Sequence, residues 1–103
     1  MAVKFQPAAL LRLDEIFLYT RDHWGFEQAQ RYSDGLFAAI DGIGEGTTRS
    51  RPIPASLGVR GFYFRYERHL VYWQQFSGGD IGIVSILHEQ MDQIARLHED
   101  VTH

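Results

Sequence analysis

Residues 59–88 read VRGFYFRYERHLVYWQQFSGGDIGIVSILH, and this stretch decides the fold. From Val59 to Tyr66 aromatic and β-branched side chains dominate, a composition that suits a pleated, half-buried surface. Glu67-Arg68 fits a tight hairpin turn, and His69 to Phe76 reads as the partner strand. Ser77-Gly78-Gly79-Asp80 is a second turn of hairpin composition. Ile81 to Leu87 is almost continuously apolar, so it is expected as a central strand.

Working outward, Ala2 to Gln6 reads as a short strand. Pro7 suits a first helical turn, where its missing N–H would have no intrahelical partner anyway. From Pro7 to about His23, a helical period places Ala9, Leu10, Leu13, Ile16, Phe17 and Thr20 on one face, the expected core stripe. Leu11 and Leu18 fall nearly opposite, among Asp14, Glu15 and Asp22. His23-Trp24-Gly25 breaks the pattern, and a second helix is expected from Phe26 to Gly44, with Ala29, Tyr32, Ser33, Leu36, Ile40 and Ile43 inward. Residues 45–57, with Pro52 and Pro54, are expected as a loop. On the far side, Glu89 to His98 closes the chain as a short helix with Met91, Ile94 and Leu97 inward. The order β-α-α-β-β-β-α gives an α+β fold: a helical hairpin packed on one face of a small antiparallel sheet, with the N-terminal strand added and a short C-terminal helix. One domain over residues 1–103 is expected, without repeats.

Composition narrows the function. Hydrophobic residues make up 45% and aromatics 14%, which supports a folded core rather than disorder. There is no cysteine, which removes disulfides and thiolate metal sites and suits a reducing cytoplasm. No stretch approaches the roughly 18 apolar residues of a membrane span, and Met1 to Leu10 does not read as a signal peptide. The net charge of −3 argues against a nucleic-acid binder, which carries a basic surplus. Yet the charge is uneven: Arg49, Arg51, Arg60, Arg65 and Arg68 face Glu67 alone between residues 49 and 68. That segment could contact nucleic acid, pair with an acidic protein surface, or form a solvated strand face. Alternation puts Arg60 with Phe62 and Phe64 on one face and Arg65 with Val59 and Tyr63 on the other, so no single-sided basic stripe results.

The ordered motifs resemble the ParE toxins of the RelE/ParE superfamily. Leu13-x-x-Ile16-x-x-Tyr19 is similar to the family's opening helix, and Trp24-Gly25 with Gln28-Ala29-x-x-Tyr32 to its inter-helix turn and second helix. Val59-Arg60 and Tyr66-Glu67-Arg68-His69-x-Val71 resemble its central hairpin, and Ile86-Leu87-His88-x-x-Met91-Asp92 the end of its last strand. The resemblance implies the toxin of a type II toxin–antitoxin module, held by a ParD-like antitoxin whose C-terminal segment wraps it. It implies DNA gyrase as the target and contact with nucleic acid only through the antitoxin. The RelE branch instead cleaves messenger RNA, and that activity is the alternative. The last strand of relatives commonly carries an arginine where Ser85 stands, which removes a phosphate-binding cation and speaks against the ribonuclease reading.

The site expectations follow. Ribonuclease chemistry needs a general base, a general acid and cations. His88 and His69 are the imidazole candidates; each also has a structural reading, as a histidine that ties down a chain reversal. No catalytic residue, cofactor or metal is expected. Leu11 and Leu18 lie two turns apart on the outer face of the first helix with Tyr19 at its edge, a spacing that receives an amphipathic helix. Alternatively the closing helix or the loop at 45–57 covers them. With Arg60 and Arg65 as carboxylate partners, these residues are the expected antitoxin contacts. Trp73, Arg68 and His88 are the expected target contacts, Trp73 on an open sheet face.

Overall fold

The computed structural model describes residues 2–102. Its elements are β1 (Val3–Phe5), α1 (Pro7–Trp24), α2 (Phe26–Glu45), β2 (Arg51–Pro52), a 3-10 turn (Ala55–Leu57), β3 (Phe62–Tyr66), β4 (His69–Gln75), β5 (Ile81–His88) and α3 (Gln93–Val101). The β3–β4 hairpin closes on the pair Tyr66 and His69. Glu67 takes a left-handed φ of 51°, which a two-residue turn between paired strands requires.

The strands form one sheet in the order β1-β5-β4-β3-β2. β1 runs parallel to β5, pairing Val3 with Ile81 and Phe5 with Ile83. The other neighbours are antiparallel, so the sheet is mixed. β2 adds a short edge strand inside the segment expected as loop, at a place where a proline is tolerated. β3 starts three residues later than the sequence suggested. Gly61 has a φ of 142°, and a Cβ there would sit 2.5 Å from the Trp73 carbonyl oxygen. The backbone thus leaves the strand conformation at Gly61, and Arg60 lies outside the ladder, not on a strand face with Phe62 and Phe64.

β5 is buried from Ile81 to Leu87, and two separate cores explain why. On one face Ala9 and Ile16 of α1 and Leu36, Ile40 and Ile43 of α2 pack on Phe64, Val71, Ile81, Ile83 and Ile86. On the other, Leu97 of α3 and Ile53 pack on Tyr72, Val84 and Leu87. The sheet therefore has no open face of the kind expected for Trp73. That residue packs against the hairpin-side core, stacks on Phe62 at 4.6 Å and donates its indole N–H to Ser50 Oγ at 2.9 Å. A β-bulge between the pairs Tyr72–Ser85 and Trp73–Ile83 leaves Val84 extra and turns both Val84 and Ser85 toward α3.

Two helical expectations need correction. Leu10 is exposed; it lies about 100° around the helix from Ala9, outside the stripe that Ala9 and Ile16 centre. α3 begins at Gln93, because the Asp92 carboxylate caps it by accepting from the Ala95 N–H at 3.1 Å. Met91 falls before the helix and Ile94 on its outer side, so both are exposed and only Leu97 is buried.

A polar clasp ties α3 to the rest. Asp100 is buried and accepts from Arg12 Nε and Nη2, both at 3.0 Å, and from Ser85 Oγ at 2.6 Å. One carboxylate thus joins α1, β5 and α3, and the fork geometry fits a bidentate guanidinium–carboxylate pair. Replacing Arg12 by Met should destabilise the protein by about 2–3 kcal/mol, because a buried carboxylate loses its cation. Adding Asp100→Asn should recover part of that loss. Urea unfolding decides it, and an Arg12→Met variant within about 0.5 kcal/mol of the parent would mean the pair does not hold α3.

Candidate functional site

The outer face of α1 is free. Leu11 is 65% exposed, Leu18 47% and Tyr19 60%. Neither alternative cover reaches them, since α3 and the 3-10 turn lie against the other face of the sheet. Tyr19 stacks on His23 at 3.9 Å, and the His23 Nδ1 meets the Tyr19 carbonyl at 2.8 Å, which orients the imidazole over the phenol. Around the leucines, Glu15 pairs with Arg12 at 3.2 Å and Asp22 with Arg21 at 3.1 Å. Asp14 and Glu15 lie between the two leucines along the helix, so the face is mixed, with Glu15 neutralised in part by Arg12. At the hairpin turn Trp24 is 73% exposed, and Phe26 is exposed with its ring edge-on to Phe17 at 6.0 Å. The sequence marked Trp24 as part of the turn and Phe26 as the start of the second helix, and neither as a contact residue.

Between the hairpin tip and the end of the sheet lies an open cleft of about 1470 Å³. Tyr19, Trp24 and Tyr32 line it from the helices, Arg68 from the β3–β4 turn, and His69 and His88 from the strands. The β4–β5 register pairs His69 with His88, and the two rings meet edge to face at 5.2 Å. Tyr32 Oη lies 2.6 Å from His69 Nδ1. Burial pushes the Tyr32 hydroxyl up to about 12. Burial first, and His88 second, pull His69 down to about 4, so it is uncharged at neutral pH. His88 does what a chain-reversal histidine does: its Nδ1 accepts from the Gln90 N–H at 3.1 Å. Neither histidine is without a partner. The turn between the strands pairs Gln75 with Ile81, a register that would set His69 opposite Leu87, and the extra residue Val84 shifts its partner to His88.

The expected contact residues separate into groups. Tyr19, Arg68 and His88 line the one cleft, with Leu11 and Leu18 on the adjoining helix face. Arg65 and Arg68 share Glu89, whose carboxyl they hold below the usual range, Arg65 most strongly. Arg60 lies apart, its carbonyl accepting from Gln74. Trp73 belongs to the hairpin-side core.

Residues 3–93 match the family model described as the ParE toxin of the type II toxin–antitoxin system parDE. The chain belongs to the ParE toxin family. It is 33% identical over 92 residues to Toxin ParE1 of Mycobacterium tuberculosis, across 84% of this chain and 87% of that protein. It is 32% identical to Toxin ParE1 of Caulobacter vibrioides, across 82% and 85%, and 34% identical to Toxin ParE of Escherichia coli, across 80% and 79%. A chain from the chromosomal ParDE TA system of P. aeruginosa superposes with a TM-score of 0.68 at 18% identity, covering 85% of this chain and 95% of that one. That likeness establishes the RelE/ParE-like α+β fold. In this ParE-family chain Ser85 faces α3 and Asp100, away from the histidine cleft. The guanidinium that meets Asp100 comes from Arg12.

The low His69 pKa has a consequence for stability. The unfolded imidazole binds a proton near 6.5 and the folded one only near 4, so the stabilisation is complete above 6.5 and is lost as pH falls toward 4. With both values, the loss between about pH 7.5 and pH 5 comes to about 2 kcal/mol. Urea unfolding at the two pH values should show this loss in the parent and a much flatter response in His69→Gln. Equal slopes in both proteins would mean that His69 is not the buried group responsible.

Proposed function

We propose that this ParE-family chain is a cytoplasmic, single-domain toxin that inhibits DNA gyrase by direct binding, without enzymatic chemistry of its own, and that a ParD-like antitoxin neutralises it. The observation that carries the antitoxin part is the uncovered row Leu11 and Leu18 on α1, with Tyr19 at its edge. Two leucines two turns apart, with Tyr19 beside them, offer an amphipathic helix its apolar contacts. Arg68, His88 and the exposed Trp24 at the adjoining cleft form the proposed target surface, and Trp73 drops out of it. Family membership supports gyrase as the target, and the absence of cysteine fits the cytoplasm. Single-domain organisation is supported by two cores that share one sheet.

A second reading, messenger-RNA cleavage, has one observation in its favour: His69, His88, Tyr32 and Arg68 all line the same cleft. The uncharged, tyrosine-bonded His69 is a weak base, which favours the first reading.

Leu11→Glu with Leu18→Glu should leave the thermal midpoint unchanged and remove co-purification with the antitoxin encoded beside it. Unchanged capture of the antitoxin by the folded double variant would place the docking face elsewhere. For the second reading, messenger RNA cut by the parent but not by His69→Gln or His88→Gln would support it.

A further inference from the structure

The outer edge of β3 is only partly covered. Tyr66 pairs with His69 across a two-residue turn, so Tyr66, Phe64 and Phe62 direct their backbone groups toward β4. Gly61, Tyr63 and Arg65 therefore direct theirs outward. The Gly61 carbonyl accepts from the Ile53 N–H at 2.9 Å, and Tyr63 is paired with Arg51 of β2, in agreement with that phase. β2 stops at Arg51, so the next outward pair, the N–H and C=O of Arg65, has no strand beside it. The preceding chain is drawn off the edge. The Thr47 and Thr48 N–H groups turn back onto the Gly42 carbonyl, and Thr48 Oγ1 donates to the Ala39 carbonyl at 2.6 Å.

Beside this uncovered edge lies a second, shallow cleft of about 630 Å³. Arg49, Arg51 and Arg65 line it together with Tyr63, and no carboxylate is among its lining residues. Arg65 also reaches Glu89. Arg49 and Arg51 are exposed and have no ion-pair partner among the described residues. In a chain of net charge −3, this is a concentrated cationic patch set against an unpaired piece of strand.

We propose that the β3 edge at Arg65 binds an extended acidic peptide segment, which adds a short strand there and sets its carboxylates against Arg49, Arg51 and Arg65. Two features select this occupant. The edge presents a donor and an acceptor together, and a peptide backbone answers both, whereas a phosphodiester accepts but cannot donate. A second copy of the same edge would bring arginines against arginines, which opposes self-pairing. Guanidinium forks match carboxylates bidentately, so the side chains add charge-assisted bonds to the backbone ones. The site is separate from the α1 face. It rests on the antitoxin reading only for where an acidic segment would come from, and its test uses no antitoxin.

The test is fluorescence anisotropy with a labelled short peptide alternating Glu and Thr. Its controls are the Gln-for-Glu peptide, a backbone N-methylated version and single-stranded oligothymidylate. Arg49→Gln with Arg51→Gln, with a thermal midpoint matching the parent, should weaken the acidic peptide by about tenfold. Removing the carboxylates or methylating the backbone should each weaken it comparably. Oligothymidylate that binds more tightly than the peptide, with the same arginine dependence, would make this a phosphodiester site and overturn the proposal. An N-methylated peptide that binds as well as the parent peptide, or no peptide binding at all, would also overturn it. Failure here with antitoxin capture still dependent on Leu11 and Leu18 removes this edge site and leaves the α1 face standing.

Discussion

Everything in this molecule is arranged around covering β5 on both sides. A strand whose residues from Ile81 to Leu87 are all buried cannot leave either face to water. The helical hairpin takes one face and α3, with Ile53, the other. That division uses up the C-terminal helix, which is then unavailable to shield α1. The exposed Leu11 and Leu18 are thus a consequence of where α3 is needed. The clasp of Arg12, Asp100 and Ser85 fixes the division by joining α1, β5 and α3 through one buried carboxylate. Every buried side-chain polar atom among the described residues is bonded, so the clasp closes without leaving an orphan.

Much of this was legible in the sequence. The helical hairpin, the β3–β4 turn at 67–68 and the central position of β5 follow from period, turn chemistry and an apolar run. What escaped was what depends on long-range geometry. The parallel pairing of β1 with β5 joins residues at opposite ends of the chain and leaves no local mark. The late start of β3 turns on the close approach of Gly61 to the Trp73 carbonyl. The bulge at Val84 flips Ser85 toward α3, and no alternation rule anticipates it.

The candidate site was legible in a different proportion. Leu11, Leu18 and Tyr19 were visible as residues on the wrong side of an amphipathic helix, and the structure leaves them exposed. Trp73 was misjudged because it was assigned to a sheet face that α3 in fact covers. The meeting of Tyr32, His69 and His88 was missed because it depends on the bulge at Val84, which shifts the partner of His69 from Leu87 to His88. Arg49 and Arg51 were noted as charge but not as an edge, since a two-residue strand is too short for any periodic signal.

A protein-binding toxin needs exposed, rigid contact surfaces more than it needs a poised acid and base. The chain supplies a helix face with exposed leucines, an aromatic hairpin tip and a cleft whose His69 is uncharged and tyrosine-bonded. The most direct measurement adds the purified protein to DNA gyrase with supercoiled DNA, and separately to translating ribosomes. The account predicts accumulation of gyrase-cleaved DNA with messenger RNA intact. Cut messenger RNA beside unaffected gyrase activity would contradict it.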